Sequence, residues 1–430
     1  MKIKPVKGTR DFYPEQMRLR NWITDGWKSA SLRCGFQEYD GPIFEYLAMY
    51  QQKSGDEIAE QLFSLEDRGG RNLAIRPEIT PTLARMVNQK INALPRPIKW
   101  FSVPRVCRAE RPQKGRLREF FQWNIDIIGV EDIIADAEVI FCAVDYLRSA
   151  GLTAADIVAK ISSRKMLADI FESLGVPPEK HTPLYAVLDK RAKISDEAFA
   201  EMLDKTLADK PLEAKVTELM NIKTIKELYE TIELTDAAKS AVDELKRLFE
   251  MLDAMGISDF CQFDISIVRG LAYYTGPVFE IHDRGGELRA VCGGGRFDNL
   301  LKDFGGPEVP ATGMGMGDCV LEILLREKGL IDDNMTGELD YYIVCLDSEL
   351  MSTAISTTAA LRSKGFSAEM TYKPAKMGKQ MKQAAGLGAK YCIILGQEYL
   401  EHGMVGLKNM KTGDQEDKIL SDIIDTETKA

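Results

Sequence analysis

The sequence predicts an α/β protein: a strand-rich domain over residues 1–330, a helical insertion within it at about 165–250, and a smaller α/β domain over 336–430. Three observations predict this. A stretch near residue 120 alternates apolar and polar side chains with the period of a strand. The block from about 160 to 255 carries apolar residues at helical spacing. After residue 336, short apolar runs alternate with helix-like segments, the rhythm of a small parallel or mixed sheet covered by helices.

In chain order, KWFSVPRVCRA (99–109) and EFFQWNIDIIG (119–129) read as two strands around the loop ERPQKGRLR (110–118). On the second, Phe121, Trp123, Ile125 and Ile127 share one face, and Gln122, Asn124 and Asp126 share the other. That polar face either meets water or lines a polar pocket. Arg108 has the parity of residues 102, 104 and 106, so one strand through 99–109 would aim it into a cleft. Further on, TDAAKSAVDELKRLFEMLDAMG (235–256) places Val242, Leu245, Leu248, Phe249, Leu252 and Met255 on an amphipathic stripe, with Thr235 or Asp236 as its cap and Gly256 as its end. Strand signals return in FDISIVRGLAYYTGPVFEIHD (263–283), and Gly293, Gly294 and Gly295 in CGGGRFDNLL read as a turn or bulge. DDNMTGE (332–338) reads as a linker. LDYYIVCL, SAEMTY and AKYCIILG then read as strands, separated by two helical segments.

The totals exclude several classes. With 45% hydrophobic and 28% charged residues the chain is an ordinary globular protein. No apolar run approaches the ~18 residues of a membrane helix, and MKIKPVKGTRDFYPEQ lacks the apolar core of a signal peptide. Eight scattered cysteines form no CxxC pair, and three distant histidines suggest no metal site. The expectation is a cytoplasmic protein without a membrane segment or a metal site of its own.

The chemistry begins with charge. The protein carries a net −10, yet residues 105–119 hold Arg105, Arg108, Arg111, Lys114, Arg116 and Arg118 against Glu110 and Glu119 alone. A polyanion explains such a cluster; a solvated hairpin tip is the plainer account. The chain has no GxxxxGK[ST] loop, and GMGMGD has the wrong spacing for GxGxxG, so a nucleotide would be gripped by side chains. Arginine suits that task because its fork holds phosphate oxygens bidentately and keeps its proton. Glu78 and Thr80, just after Pro77, offer an acid and a hydroxyl for an ammonium group; Arg269 stands before Gly270 and the pair Tyr273 and Tyr274. From Arg362 to Lys390 seven cations face one acid, Glu369, a footprint compatible with nucleic acid or with a solubilising surface.

Read together, VKGTRDFYP, FSLEDRGGRNLAIRPEIT, RAERPQKGRLREF, YAVLDKRAKIS, VRGLAYYTGPVFE and the tail GAKYCIILGQEYLEHGMVGLKNMKTGDQE resemble, in order, the segments of bacterial-type histidyl-tRNA synthetases, a class II aminoacyl-tRNA synthetase family. The resemblance implies an antiparallel catalytic sheet of six or seven strands flanked by helices, the helical insertion, and a C-terminal anticodon-binding domain. It implies a homodimer built on YDGPIFEYLAMY, with L-histidine, ATP accompanied by Mg²⁺, and histidine tRNA as partners. In the implied roles Arg108 grips the α-phosphate with Glu110 on the adenine side, Arg116 reaches the outer phosphates, and Phe120 stacks on adenine. Arg269 joins Arg108 at the reacting α-phosphate. Glu78, Thr80 and Gln122 hold the α-ammonium, Asp126 and Tyr274 the imidazole, and Arg269 and Tyr273 also border the amino acid. One departure concerns the third class II motif: Val320 stands where the family places an arginine for the γ-phosphate, which weakens ATP binding or leaves that phosphate to Arg116 with Mg²⁺. The alternative implied by the resemblance is a catalytically silent, synthetase-like regulatory subunit of ATP phosphoribosyltransferase in histidine biosynthesis. Such subunits generally lack the anticodon-binding domain and lose the loop that stands here as ERPQKGR.

Overall fold

The computed structural model describes residues 3–51, 62–191, 194–268, 273–332 and 339–426. It divides into two compact units, Met1–Asp11 with Asn21–Ile331 and Phe12–Arg20 with Asp332–Ala430. The strands of the first unit are β1 (Gln37–Glu38), β2 (Phe44–Tyr46), β3 (Phe63–Glu66), β4 (Asn72–Ile75), β5 (Ile98–Ser102), β6 (Arg105–Cys107), β7 (Glu119–Ile128), β8 (Ile157–Ser163), β9 (Cys261–Phe263), β10 (Pro277–Asp283), β11 (Cys292–Arg296) and β12 (Ala311–Gly317). Nine of them form one sheet in the order β1-β5-β7-β12-β11-β10-β8-β9, with β6 also on β7. From β5 to β8 the six strands are antiparallel, as the resemblance implies. The short β1 and β9 add parallel edges to β5 and β8.

One correction concerns the segment 99–109, which is two strands rather than one. Pro104 has no N–H to donate, and the chain breaks there: β5 pairs with residues 124–128 of β7, while β6 pairs with 119–121. Arg108 therefore follows the end of β6 instead of sitting at a strand position in register with Ser102. A second concerns CGGG, which is the strand β11 and not a turn. A Cβ on Gly294 would come within 2.3 Å of the Gly313 carbonyl oxygen, so glycine lets β11 and β12 approach.

The sheet's two faces have different chemistry. Trp123 and Ile125 of β7, Phe279 of β10 and Met316 of β12 fill the back face. There Trp123 stacks on Trp27 at 6.2 Å, meets Tyr146 edge-on at 5.5 Å and donates to Ser31 Oγ at 2.8 Å. Burying each such side chain contributes roughly 1.5–3 kcal/mol. Arg296 is neutralised there by Asp136 on the helix Ile134–Ser149. Part of the front face is apolar: Ile79, Leu83 and Val87, on and before the helix Thr80–Lys90, pack with Ile98, Ile128, Tyr274 and Val278. Much of the remainder of that face, on β7, β12 and β11, is polar or glycine.

Between β8 and β9 the chain is helical, from Arg164–Leu174 to Asp236–Ala254. Ser163, Ser195, Asp209, Thr224 and Thr235 each accept an N-terminal backbone N–H of the helix they precede. In the last of these helices Val242, Leu245, Leu248 and Leu252 are buried.

In the second unit β13 (Leu339–Cys345), β14 (Ala368–Met370), β15 (Ala389–Leu395), β16 (Met404–Asn409) and β17 (Gln415–Ile419) form a sheet ordered β14-β13-β15-β16-β17. β14 and β15 run parallel to β13, as strand–helix alternation requires, while β16 and β17 close the sheet as an antiparallel pair. None of the described helices is long and apolar enough to cross a membrane.

Candidate active site

β7 organises the site because its two faces were built for different neighbours. Gln122, Asn124 and Asp126 stand on the front face, opposite Gly317, Gly315 and Gly313 of β12. Gly315 and Gly313 in turn face Gly293 and Gly295 of β11. Successive side chains alternate across a strand, so these glycines leave a bare floor two strands wide beside three polar side chains. GMGMG is thus a pocket floor, at the spacing of two that a strand face requires. A Cβ on Gly313 would stand 2.2 Å from Asp126 Oδ1, and one on Gly315 2.8 Å from Gln122 Nε2.

The polar row is buried and unsatisfied. Gln122 Oε1, Asn124 Oδ1 and Asp126 Oδ2 are shielded from solvent and accept no hydrogen bond from any described residue. Asp126 is 2% exposed; burial first, then the charge of Glu78, pushes its carboxyl well above the usual carboxylate range. Unpaired buried acceptors are costly, each about 1–3 kcal/mol, so a row of them asks for a ligand rich in donors. Tyr39 joins this group. Its ring lies 5.5 Å from that of Trp100, which is opposite Asp126 on β5, and its hydroxyl has no partner among the described residues. Glu78 precedes the helix Thr80–Lys90, with Thr80 buried at its first position. Arg76 holds that approach in place by donating to Arg105 O, Gly41 O and Asp40 Oδ1 at 2.7–3.0 Å. Tyr274 lies over the floor: a Cβ on Gly295 would meet its ring at 3.0 Å, and Tyr273 packs on it at 4.7 Å. Arg269 lies outside the described residues.

The cationic loop stands at the other end of β7. Arg108 Nε donates to Pro77 O at 3.1 Å, and its guanidinium lies 5.3 Å from the centre of the Phe120 ring. Arg116 pairs with the largely buried Glu110. Gln113 and Arg116 close the loop tip through two 2.9 Å backbone hydrogen bonds, with Gly115 at φ +73° in the left-handed region. Val320 supports that tip from the helix Asp318–Glu327: a Cβ on Gly115 would touch its Cγ2 at 3.0 Å. The cation at this helix end is Arg10, bound to Asp318 at 2.5 Å and Glu322 at 3.6 Å, while Asp318 Oδ1 accepts from Phe121 N. Arg289, between β10 and β11, donates to Gln113 Oε1 at 2.9 Å, so loop and hairpin meet above the sheet.

The structure therefore lays Gln122 and Asp126 along the floor, with Glu78, Tyr274 and, packed on it, Tyr273 toward its Asp126 end, and Arg108, Glu110, Arg116 and Phe120 at its loop end, where Arg108 reaches Pro77 beside Glu78; Thr80 is buried in the helix that follows. A donor-rich molecule at the first end and a phosphorylated, planar one at the second would lie end to end. A model described as histidyl-tRNA synthetase matches residues 8–317. The chain belongs to the histidyl-tRNA synthetase family. A model described as an anticodon-binding domain matches residues 340–427. The chain is 40% identical over 421 residues to the chloroplastic/mitochondrial histidine–tRNA ligase of Arabidopsis thaliana, covering 98% of this chain and 86% of that protein. It is 41% identical over 418 residues to the histidine–tRNA ligase of Opitutus terrae, covering 96% and 95%. The solved histidyl-tRNA synthetase of Nostoc sp. PCC 7120 shares the fold with a TM-score of 0.84 at 23% identity over 99% of both chains.

Sequence reasoning passed over Asn124 as a ligand, Tyr39, Arg10 and the floor. The alternate glycines of GMGMG were a visible signal once that segment is read as a strand. Tyr39 and Arg10 carried none, since their places depend on contacts far along the chain.

Proposed function

We propose that this chain is a histidine–tRNA ligase, acting in the cytoplasm as a homodimer. It activates L-histidine with ATP to histidyl-adenylate and pyrophosphate, then transfers histidine to the 3′ end of its tRNA. The observation that carries this reading is the row of unpartnered acceptors beside a glycine floor, with the cationic loop at its far end. Histidine offers three ammonium hydrogens and a ring N–H, all donors. In this reading Glu78, Thr80 and Gln122 hold the ammonium, and Asp126 and Tyr274 hold the imidazole, bordered by Tyr273. A pocket that must pair both ring nitrogens rejects analogues lacking one by roughly 10⁴-fold or more.

The histidine carboxylate attacks the α-phosphate in line and pyrophosphate leaves with the bonding electrons. The side chains supply position and charge rather than covalent chemistry. Arg108 and Arg269 neutralise the α-phosphate, Phe120 stacks on adenine with Glu110 at its edge, and Arg116 meets the outer phosphates. Among the described residues no three His, Cys, Asp or Glu side chains converge to hold a metal ion. Mg²⁺ bound to ATP would offset the charge of its phosphates. Residues 1–330 act as the catalytic domain, with the insertion at about 165–250, and 336–430 as the anticodon-binding domain.

The dimer reading rests on an apolar sheet face. β2, β4 and β3 form a three-stranded sheet whose register puts Phe44, Tyr46, Phe63, Leu65, Leu73 and Ile75 on one side. Phe44 and Tyr46 are more than half exposed. A contiguous apolar face of this kind marks an interface. The presence of residues matched by the anticodon-binding model and of the loop 110–118 favours the ligase over a regulatory subunit of ATP phosphoribosyltransferase. The test is exchange of labelled pyrophosphate into ATP: exchange with histidine, and with no other amino acid, is expected. A folded, histidine-binding protein without exchange would favour the regulatory role.

A further inference from the structure

One cation at the loop end takes no part in the proposed activation. Arg289 stands in the hairpin between β10 and β11, flanked by two fixed points. On one side Leu288 is buried, and the Asp283 carboxylate accepts its N–H at 3.1 Å and that of Glu287 at 3.3 Å. On the other Val291 is buried, and its N–H reaches Ile281 O at 2.8 Å. From there the exposed guanidinium donates to Gln113 Oε1 at 2.9 Å, in the loop that belongs to β7. Only β12 separates β11 from β7, about 10 Å apart across two strand spacings. β12 ends at Gly317, opposite Gln122. A Cβ on Gly317 would stand 3.9 Å from Phe120 Cδ2, so Arg289 crosses the end of the bare floor beside the ring assigned to adenine.

Charge singles this residue out. Around the same loop Arg105 pairs with Glu119, Lys114 with Glu327, Arg116 with Glu110 and Arg10 with Asp318. Among the described residues Arg289 meets only the neutral amide of Gln113. Val320, packed under the loop tip, brings no charge. An arginine that exchanges an amide for phosphate oxygens gains, because both partners are then charged and its fork takes two oxygens at once.

We propose that Arg289 binds the outer phosphates of ATP, gripping them from the β11 side while Arg116 meets them from the loop. This rests on the ligase reading. In the step, a histidine carboxylate oxygen bonds to the α-phosphorus. The bond from that phosphorus to the bridging oxygen breaks, and pyrophosphate takes the electron pair. Arg289 stabilises the charge that gathers on it. The contact with Gln113 is the resting position of the guanidinium, which trades that amide for phosphate oxygens when ATP enters.

Pyrophosphate exchange tests the contact, with ATP and pyrophosphate each varied and AMP added as a competitor. R289A should lower kcat/KM for ATP about ten- to a hundredfold, the range for a hydrogen bond to a charged group, and should weaken pyrophosphate alike. AMP lacks the outer phosphates and should compete as it does in the wild type. R289K keeps the charge without the fork and should fall between the two. Q113A removes the resting contact but not the guanidinium, and should use ATP as the wild type does. Unchanged ATP kinetics in R289A overturn the proposal. So does an equal loss of ATP and AMP, or a Q113A variant as impaired as R289A, since either marks Arg289 as a latch for the loop. A wild-type chain that exchanges no pyrophosphate with histidine strikes the ligase reading instead. Calorimetric titration of ATP and of AMP into the wild type and R289A then decides the proposal separately: weaker ATP with unchanged AMP supports it, and equal ATP affinities overturn it.

Discussion

A carboxyl shut away from water among other acceptors is costly to keep ionised, and Asp126 is in that position beside Glu78, Asn124 and Gln122. Its raised pKa has a definite sign for stability. Between the ordinary carboxylate range and the raised value, the folded protein binds more protons than the unfolded chain, so this residue's contribution to stability falls as pH rises. Asp126→Asn removes that slope. The variant should melt higher than the wild type at neutral pH in the absence of ligand, and the gap should narrow toward pH 4. Its kcat/KM for histidine should nevertheless drop about 10²-fold or more, because the carboxyl proposed to pair with the ring is gone. Thermal melts at several pH values, together with exchange kinetics, check both halves. A variant that is less stable at neutral pH would contradict the desolvation account. The same residue scale explains Val320. An apolar side chain under Gly115 steadies the loop tip, and Arg10, from the start of the chain, supplies the cation at that helix end.

At the scale of elements, β11 and β12 show one residue type doing two jobs on opposite faces. Gly294 points to the packed back face, where a Cβ would fall 2.3 Å from a backbone oxygen and 2.6 Å from Met314 Cβ. Gly315 points to the pocket, where the nearest atom is the movable end of Gln122. Gly294→Ala should therefore cost about 1–3 kcal/mol of stability, as overpacking does, and lower yield or melting temperature. Gly315→Ala should fold normally but push Gln122 aside and raise the KM for histidine about tenfold. Melting curves and the two KM values distinguish them. Equal effects of both substitutions would mean that the two faces do not differ as described.

For the whole molecule, two separations are testable. Each unit has its own sheet and apolar core; all but residues 12–20 of the span matched by the histidyl-tRNA synthetase model lie in the first, and the span matched by the anticodon-binding model lies in the second. A chain ending near residue 331 should keep histidine-dependent pyrophosphate exchange within a few fold while losing tRNA charging by orders of magnitude. Equal loss of both would argue against independent roles. The exposed face of the β2-β4-β3 sheet gives the other test. Phe44→Glu with Tyr46→Glu places charges on an apolar surface; with the proposed dimer built on that face, sedimentation should report a dimer for the wild type and a monomer for the variant. A variant that sediments as the wild type does would remove that face from the interface.

The sequence by itself determined the local geometry. Alternation on β7 separated Gln122, Asn124 and Asp126 from Trp123 and Ile125. The stripe on 236–254 and Thr235 defined a helix and its cap, and strand–helix alternation after 336 defined parallel pairing. These follow from periods of 2 and 3.6 and from side chains that reach only a few residues along the chain. The break in 99–109 is also written there, at Pro104, which has no N–H for the ladder and so overrides the parity of the residues on either side. Only the tertiary structure decided what the polar face meets. That Gly313 and Gly315 lie beside β7, that Gly293 and Gly295 extend the floor, and that Tyr39, Arg10 and Arg289 arrive at its margins are matters of strand order and register. The pairing of strands as distant in sequence as β7 and β12 depends on burial summed over the whole sheet. No single stretch encodes it.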